Sequence, residues 1–519
     1  MSKRLFKSTS VVVFMTMLSR IFGFVRDVVT AAFFGAAAGF DAFAVAFKIP
    51  NFMRRLFAEG SFSQAFVPVL SEYQKNKKPE EVQQFVNSMT GSLAVVLLGV
   101  TIFGVVFAPF IVRIFAPGFE ASGDRYDLAV TMLRITFPYL MFISLTAFSG
   151  SILNTYSRYW VAAFTPVLLN ISLISAAIFL APNLKTPITA LAWGVFVAGL
   201  VQMFFQIPFL RNLKMMPKPR INFKDPGVRK VLKLMIPALF GVSVTQINLL
   251  MDTVFASFLV VGSVSWLYYS DRLMGFPLGV FGVAISTVIL PYLSRHHASK
   301  SKLDFSLTLD WALRWVLLIG IPAAILLGLL SGPMLATLFQ YGKFDDYDVL
   351  MAQKSLIMFA VGLTPFMLIK ILASGFYARQ NLKTPVKIGA VAMVANIIFN
   401  LILIVPLAHA GIALSTSLAA ILNTGLLFYF LKKDEIYAPR SGWGFFSFRL
   451  LFANSLLIAW VIWQKGDISA WLNGSIEWRV THLVYLLLTS GVLYLGGLFI
   501  AGLRPRDVLI EADGYKLSG

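Results

Sequence analysis

The stretch LAVVLLGVTIFGVVFAPFIV, residues 93–112, contains twenty successive residues without a charged side chain. A helix of this length can cross the roughly 30 Å hydrocarbon core of a bilayer. Similar runs recur from one end of the 519-residue chain to the other. Charged residues make up 13% of the chain, whereas soluble domains carry about 25%. The sequence therefore predicts an all-α polytopic membrane protein.

The number of spans follows from apolar length and from the loop breakers between the runs. We predict about fourteen transmembrane helices, near residues 8–34, 40–72, 86–115, 128–155, 160–181, 186–210, 232–260, 264–294, 308–340, 350–377, 386–406, 410–431, 445–464 and 481–503. An even number of spans returns the C-terminus to the side of the N-terminus.

Basic residues are distributed unequally between alternate loops. If the N-terminus is cytoplasmic, most loop cations lie inside, and the outer loops contain Arg125, Lys185, Lys343, Lys465 and Arg479. This bias satisfies the positive-inside rule and predicts that both termini are cytoplasmic. The net charge of +20 therefore reflects membrane topology. We expect no nucleic-acid partner, because the cations lie in short loops and not on one amphipathic face.

Residues for metal or enzyme chemistry are sparse. The chain has no cysteine, which excludes disulfides and thiolate metal sites, and it has four scattered histidines. A membrane enzyme such as a lipid phosphatase or glycosyltransferase would need clustered acids, histidines or metal ligands near one interface. The sequence shows no such cluster. We therefore expect no enzyme activity, no metal centre and no cofactor.

Sequence landmarks repeat at an offset of about 225 residues, which indicates internal duplication. The pairs are Asp27 with Asp252, Pro68 with Pro291, Gly118 with Gly342, and Gly150 with Gly375. We predict two parallel six-helix repeats, residues 1–210 and 234–431, joined by a basic cytoplasmic linker at 211–233. A C-terminal helix pair and cytoplasmic tail would occupy 432–519. Parallel repeats are a transporter architecture with the substrate site between the halves, although a duplicated scaffold without transport has the same pattern.

Ionisable residues are concentrated in the first two spans. Such groups cost about 2.5 to 3.5 kcal/mol near the bilayer centre, so they should face a cavity or a partner. In span one, Ser19 and Arg26 share one helical face and Arg20 and Asp27 share a neighbouring face. Span two carries Asp41, Lys48, Asn51, Arg54, Arg55 and Glu59.

Four of the span-two residues form a polar stripe about 40° wide on a helical wheel: Asp41, Lys48, Arg55 and Glu59. Pro50 lies within the stripe and removes a backbone donor, which predicts a bend. In the second half, Asp252 lies in span seven and Asp271 and Arg272 lie in span eight. The repeats could thus bring charges from both halves together.

Residue type suggests the chemistry of this candidate site. Arginine offers a planar fork that binds phosphate through paired hydrogen bonds, which suits Arg20, Arg26 and Arg272 to a phosphate or diphosphate. The alternative is a set of ion pairs that hold the helices together. Asp252 is a weaker candidate for binding a coupling cation, and an inter-helix hydrogen bond would explain it equally well.

These residues closely resemble the motifs of the MurJ (MviN) family of lipid II flippases. The matching stretches include residues 19–20, 23–27, 41–43, 47–51, 54–68, 269–274, 340–342 and 375–380, with the sequences SR, GFVRD, DAF, FKIPN, RRLFAEGSFSQAFVP, YSDRLM, QYG and GFYARQ. The resemblance extends over essentially the whole chain. It implies the fourteen-helix fold of the multidrug/oligosaccharidyl-lipid/polysaccharide exporter superfamily.

The resemblance also implies a function. Members translocate lipid II, an undecaprenyl-diphosphate-linked disaccharide pentapeptide, across the bacterial inner membrane by alternating access. Counterparts of Arg20, Arg26 and Arg272 would line a cationic cavity, and those of Asp41 and Glu59 its acidic side. The last two helices would form a groove for the polyprenyl tail with the second half. At Gly275 this chain departs from relatives that carry an acid there.

Partners and coupling follow from the same resemblance. Lipid II and membrane lipids are the expected partners, with cell-wall synthesis proteins as further candidates. Transport could be coupled to the membrane potential or to a monovalent cation such as sodium. The nearest rival is another exporter of the same superfamily, which would keep the fold but not the arginines; cationic drugs would favour an acidic cavity.

Overall fold

The computed structural model describes residues 3–55 and 62–504. Within these residues the chain is helical and contains no β-strand. The helices are α1 Lys3–Phe34, α2 Ala38–Met53, α3 Ser63–Asn76, α4 Pro79–Val106, α5 Ala108–Phe115, α6 Asp124–Thr136, α7 Tyr139–Thr155, α8 Tyr159–Ser175, α9 Thr189–Asn212, α10 Pro226–Ser257, α11 Ser263–Pro277, α12 Val283–Ala298, α13 Lys302–Leu329, α14 Ser331–Phe339, α15 Asp346–Tyr377, α16 Lys383–Lys433, α17 Trp443–Gln464, α18 Ile468–Asn473 and α19 Ile476–Ile500.

Ten helical stretches of the described residues are long and apolar enough to cross a membrane. They are Pro79–Val106, Asp124–Thr155, Tyr159–Asn183, Thr189–Asn212, Ser263–Ala298, Lys302–Leu329, Asp346–Tyr377, Lys383–Lys433, Trp443–Gln464 and Ile476–Ile500. The chain is therefore an all-α polytopic membrane protein, as predicted. The total of fourteen spans stays a prediction.

Several element boundaries differ from the predicted spans. The single span predicted at 128–155 consists of α6 and α7, which are interrupted at Phe137 and Pro138 because proline lacks a backbone N–H. The span predicted at 308–340 likewise consists of α13 and α14, separated at Leu330. By contrast, α16 combines the spans predicted at 386–406 and 410–431, and its backbone breaks between them at Ala408, where φ is 49°.

The chain divides into two compact units. The first unit comprises residues 1–265 and 341–344, and the second comprises 266–340 and 345–519. The predicted repeat halves at 1–210 and 234–431 describe an internal duplication of the sequence. The division into compact units does not test that duplication, which stays a prediction.

An aromatic core joins α3, α4 and α7 in the first unit. The Phe66 ring centroid lies 4.9 Å from that of Phe148 and 5.7 Å from that of Phe85, and all three side chains are buried. Met215, which follows α9, and Val228, in the first turn of α10, belong to the same core. Burial of these large side chains stabilises the contact between the helices and the connection from α9 to α10.

The predicted linker at 211–233 is an ordered segment that lies along α4. The backbone N–H of Lys218 donates to Asn87 Oδ1 at 2.7 Å, and that of Arg220 donates to the Asn87 carbonyl at 3.0 Å. Asp225 ends the segment by capping α10, where its carboxylate accepts from the Gly227 N–H at 2.8 Å. The last residues of the predicted linker are therefore helical.

Proline creates an unpaired carbonyl in α2, and a neighbouring helix satisfies it. Pro50 has no N–H to donate to the Ala46 carbonyl four residues earlier. The hydroxyl of Thr136, at the end of α6, donates to this carbonyl at 3.1 Å. The carbonyl that Pro50 leaves without a helical donor thus has a specific partner in the first unit. The bend at Pro50 stays a prediction.

The same arrangement occurs in the second unit. Pro322 lies inside α13 and leaves the Leu318 carbonyl without its usual helical donor. The hydroxyl of Tyr494, in α19, donates to that carbonyl at 2.7 Å. A proline in one helix therefore provides an attachment point for another.

Candidate functional site

Arg26 and Asp27 form a buried ion pair in the C-terminal third of α1. The Nε and Nη2 atoms of Arg26 lie 3.0 and 2.6 Å from Asp27 Oδ1. The third nitrogen, Nη1, donates to Asn170 Oδ1 at 3.0 Å. Both charged residues are buried, with exposed fractions of 8% and 4%. The guanidinium fork is thus engaged by protein groups in this conformation.

Asn170 connects α8 to the charged part of α1. Its Nδ2 donates to the Ser19 carbonyl at 3.1 Å while its Oδ1 accepts from Arg26. Sequence reasoning did not identify this residue. The available signal was an amide side chain inside the apolar span predicted at 160–181, since a polar group at that depth needs a partner.

Asp41 occupies a second buried position, at the start of α2. Its Oδ2 accepts from the Gly262 N–H at 2.8 Å, and its Oδ1 accepts from the Ser265 N–H at 2.9 Å and from Ser265 Oγ at 2.5 Å. Arg125 Nη1 lies 3.6 Å from the same carboxylate. Because these N–H groups belong to the first turn of α11 and the loop before it, Asp41 acts as a cap for that helix.

Arg125 extends the Asp41 contact into the loop that precedes α11. Its guanidinium donates to the Leu259 carbonyl at 3.3 Å, and it lies 4.7 Å from the centroid of the Phe119 ring. Arg125 itself is buried. It is one of the few cations of the predicted outer loops, and its burial against a carboxylate explains its presence there.

The other predicted residues of span two, which include the rest of the stripe, form separate contacts. Lys48 Nζ donates to Thr253 Oγ1 of α10 at 2.5 Å. Arg54 donates through Nε and Nη2 to Asn51 Oδ1 at 3.0 and 2.8 Å, within the same helix. Arg55 is exposed. Glu59, the last member of the stripe, lies outside the described residues.

The remaining predicted residues are more accessible. Ser19 and Arg20 in α1 and Asp252 in α10 are partly buried. Arg272, in α11 of the second unit, is exposed; its Nη2 donates to the Tyr268 hydroxyl at 3.2 Å and its guanidinium lies 4.8 Å from the Tyr268 ring centroid. Arg272 thus combines a cation with an aromatic face, a pairing that can contact both a charged and a cyclic group.

The structure therefore brings some of the predicted site residues together and leaves others apart. It places Ser19, Arg26 and Asp27 together through Asn170, Asp41 with α11, and Lys48 with α10. Residues 3–55 and 62–504 contain no group of three or more histidine, aspartate or glutamate side chains arranged for a metal ion. The use of these residues in binding a substrate or a coupling cation stays a prediction.

Membrane-spanning helices, together with charged side chains buried in α1 and α2, are typical of a polytopic membrane transporter. Within that class the chain belongs to the lipid II flippase MurJ family, whose model matches residues 30–482.

Relatives align along nearly the full length of the chain. A probable lipid II flippase MurJ of Haemophilus influenzae is 47% identical over 510 residues, which cover 96% of this chain and all of the relative. A lipid II flippase MurJ of Burkholderia cenocepacia is 41% identical over 506 residues, covering 96% of this chain and 98% of the relative. These relatives are named as flippases, so the chain is a transporter and not an enzyme.

Solved structures show the same relationship. A lipid II flippase MurJ in an inward closed conformation aligns with a TM-score of 0.79 and 29% identity, covering 94% of this chain and 98% of that one. An inward-facing multidrug resistance transporter of the MATE family and MOP superfamily aligns with a TM-score of 0.65 and 13% identity. The alignment covers 82% of this chain and 97% of that one. The second similarity establishes a shared fold.

Proposed function

We propose that this chain is a lipid II flippase. It moves the lipid-linked peptidoglycan precursor from the inner to the outer leaflet of the bacterial inner membrane, and both of its termini are cytoplasmic. The observation that carries the proposal is the near-complete alignment with relatives named as flippases, one of which is 47% identical. The chain also buries Arg26, Asp27 and Asp41 in α1 and α2, charged residues that an inert membrane scaffold would not need.

Alternating access is the proposed mechanism. The fold is shared with MATE-family transporters in inward-facing and outward-facing conformations, at TM-scores of 0.65 and 0.55. The contacts of Asp41 with the N-terminal turn of α11 suit a connection that forms in one state and opens in another. Because the carboxylate is completely buried there, opening must provide it with water or another donor.

The proposed substrate site uses the cations of α1, α2 and α11. Arg20, Arg26 and Arg272 bind the diphosphate and sugar, while Ser19, Asp27, Asp41, Lys48, Asn51, Arg54, Arg55 and Glu59 complete the polar surroundings. Arg26 is held by Asp27 and Asn170 in the present conformation. Substrate binding at Arg26 would then involve exchange of at least one of these contacts for a phosphate oxygen.

The energy source is a separate part of the proposal. The membrane potential acts on moving charges at about 2.3 kcal/mol per charge per 100 mV, and the site contains several ionised groups that could move. A monovalent cation bound near Asp252 is the second possibility. Cell-wall synthesis proteins are proposed partners, since they use the transported precursor.

The experiment is a leaflet-resolved assay of lipid II in cells depleted of this protein. Depletion should leave the precursor in the inner leaflet, and expression of the chain should restore its appearance outside. Unchanged arrival of lipid II in the outer leaflet, in depleted cells without another flippase, would exclude the proposed function.

A further inference from the structure

Residues 214–224, KMMPKPRINFK, lie in the connection between α9 and α10 and form no regular helix. Their backbone is bound to α4, which belongs to the same unit. The N–H groups of Lys218, Arg220 and Asn222 all donate to α4, and the last of them reaches Ser92 Oγ at 3.3 Å. Three alternate N–H groups are thus bonded to one helix, as an extended segment allows.

Proline occupies positions that alternate with these bonded residues. Pro217 and Pro219 have no N–H to donate. Proline also favours an extended conformation, which stiffens a short segment. The Met216 carbonyl, at the start of this stretch, accepts from Gln83 Nε2 of α4 at 3.0 Å. The segment therefore has fewer N–H groups that need water than an ordinary loop, which suits it to contact with lipid.

A stripe on α4 receives the segment. Gln83, Asn87 and Gly91 follow one another at intervals of four residues, so they lie on one face of the helix. A Cβ atom at Gly91 would overlap the Arg220 backbone, so the close approach requires glycine there. The segment is thus held on α4 by shape as well as by hydrogen bonds, while most of its side chains stay exposed.

The exposed side chains of the segment are mainly of two kinds. Four are cations and three are large apolar groups: Lys214, Lys218, Arg220 and Lys224, with Met216, Ile221 and Phe223. The exposed fraction of Ile221 is 64% and that of Phe223 is 41%. The segment contains no acidic residue. Within the part of the chain that the structure describes, none of the four cations forms an ion pair with a carboxylate.

The length of α4 places the segment at a membrane surface. This helix has 28 residues. At 1.5 Å per residue it is about 42 Å long, whereas the hydrocarbon core of a bilayer is roughly 30 Å thick. The segment contacts residues 83–92, and the uncharged run of α4 begins at residue 93. The start of α4 therefore extends beyond the hydrocarbon, and the segment lies at the level of the lipid headgroups.

Cations interleaved with exposed apolar side chains fit an anionic lipid surface. Lipid phosphates attract lysine and arginine, and the apolar side chains enter the boundary between headgroups and acyl chains. A soluble acidic partner would complement the cations but would leave the apolar side chains without a role at this depth. By contrast, the connections at 299–301 and 378–382 contain one cation each and no proline.

We propose that residues 214–224 form a binding site for the headgroups of anionic phospholipids. The four cations bind the phosphates, while Ile221 and Phe223 enter the boundary with the acyl chains. Under the predicted topology this site faces the cytoplasmic leaflet. The site is separate from the charged residues of α1 and α2, and lipid binding there does not depend on the proposed function.

The test measures which lipids lie beside the segment. The chain has no cysteine, so a fluorophore on Ile221→Cys of the full-length protein reports from this position alone. The labelled protein is placed in phosphatidylcholine vesicles that contain either phosphatidylglycerol or phosphatidylcholine with a nitroxide quencher on its acyl chain. We expect stronger quenching by the phosphatidylglycerol probe, because the anionic lipid is enriched beside the cations.

Removal of two cations should reduce this preference. Each basic residue near an anionic surface accounts for up to about a fivefold preference, so Lys218→Gln with Lys224→Gln should lower it by roughly 5-fold to 25-fold. Lys300→Gln with Lys302→Gln is the matched control, because it removes the same charge from exposed positions around another connection. The control should leave the preference unchanged.

Three outcomes would overturn the proposal. Equal quenching by the two lipids would show that the site does not select anionic headgroups. An equal loss of preference in the control variant would show a general effect of net charge. Quenching by a nitroxide-labelled polyglutamate peptide, without any preference between the lipids, would identify a surface for an acidic protein. None of these readouts requires transport, so they are independent of the flippase assay.

Discussion

Arg26 donates through all three guanidinium nitrogens, to a carboxylate on its own helix and to an amide on α8. A lysine at this position would keep the charge but could not form both contacts with the same geometry. A substitution of Arg26 can therefore test whether the residue acts through the geometry of its guanidinium or only through its positive charge. The same question is testable at Arg272, where a hydroxyl and a ring face of Tyr268 are contacted together.

We predict that Arg26→Lys and Arg272→Lys each impair flipping. Loss of one charge-assisted hydrogen bond should weaken the function by roughly 10-fold to 100-fold. The measurement is complementation of a depleted strain, with membrane levels of each variant determined. Arg158→Lys is the control, because Arg158 is exposed and precedes α8. Full activity from both variants at normal levels would leave these arginines as generic positive charges.

A second residue-scale prediction concerns stability. Asp41→Asn replaces one acceptor oxygen with an NH₂ group opposite the N–H donors of Gly262 or Ser265. An unsatisfied buried group costs about 1 to 3 kcal/mol, so the variant should unfold at a lower temperature. Thermal unfolding in detergent measures this, with Asp127→Asn as an exposed control on α6. Equal unfolding temperatures for Asp41→Asn and wild type would contradict the capping role.

At the scale of elements, proline and its orphan carbonyl connect helices that are distant in sequence. Pro50 leaves the Ala46 carbonyl available to accept from the Thr136 hydroxyl. Pro322 likewise leaves the Leu318 carbonyl available to accept from the Tyr494 hydroxyl. Proline is usually considered for the bend that it introduces. In this fold it also creates a polar attachment point inside an apolar helix.

We predict a coupling between Tyr494 and Pro322. Tyr494→Phe should cost about 1 to 3 kcal/mol of unfolding free energy, because the Leu318 carbonyl loses its donor. In a Pro322→Ala background residue 322 regains an N–H for that carbonyl, so the same change should cost less. Denaturant unfolding of the four proteins provides the cycle, and Tyr485→Phe is an exposed control on α19. An identical cost in both backgrounds would show that the two residues act independently.

The sequence alone predicted the helices, but it did not predict which residues are hydrogen-bonded to the charged side chains. Apolar length and loop breakers predicted helical segments, and the break at Ala408 falls between two predicted spans. The interruption at Pro138 was missed because apolar residues continue across it. Arg26, Asp41 and Lys48 were recognised as charges that need partners, yet Asn170, Ser265 and Thr253 lie 144, 224 and 205 positions away. Such contacts depend on tertiary packing, which periodicity does not encode.

At the scale of the whole molecule, the unequal distribution of loop cations fixes the expected orientation. We predict that a topology reporter fused after Gly123 is external and that one fused after Lys218 is cytoplasmic, because the first lies in a loop with few cations and the second in a strongly basic one. Both sites are suitable, since neither residue lies within a regular helix. A cytoplasmic first reporter or an external second reporter would show that the span count is wrong.

The last prediction is that the polar side of the first two helices changes its accessibility during transport. The chain contains no cysteine, so single cysteines at Ser19 and Ala44 can be labelled without background; both positions are partly buried in this structure. Ser19 adjoins the Arg26 contact through Asn170, and Ala44 lies one turn after Asp41. If the halves alternate, exposure at these positions must depend on which side is open, since water reaches the polar groups from that side.

Labelling from each side of the membrane should therefore change when substrate is added or the membrane potential is altered. A cysteine at Ser299, in an exposed loop after α12, should react equally in every state and reports reagent access. The sign of the change distinguishes two cases: opposite changes from the two sides indicate alternation, whereas parallel changes indicate a local loosening of α1 or α2. Labelling at Ser19 and Ala44 that is independent of both substrate and potential would identify a static scaffold, because no population of states would then be shifting.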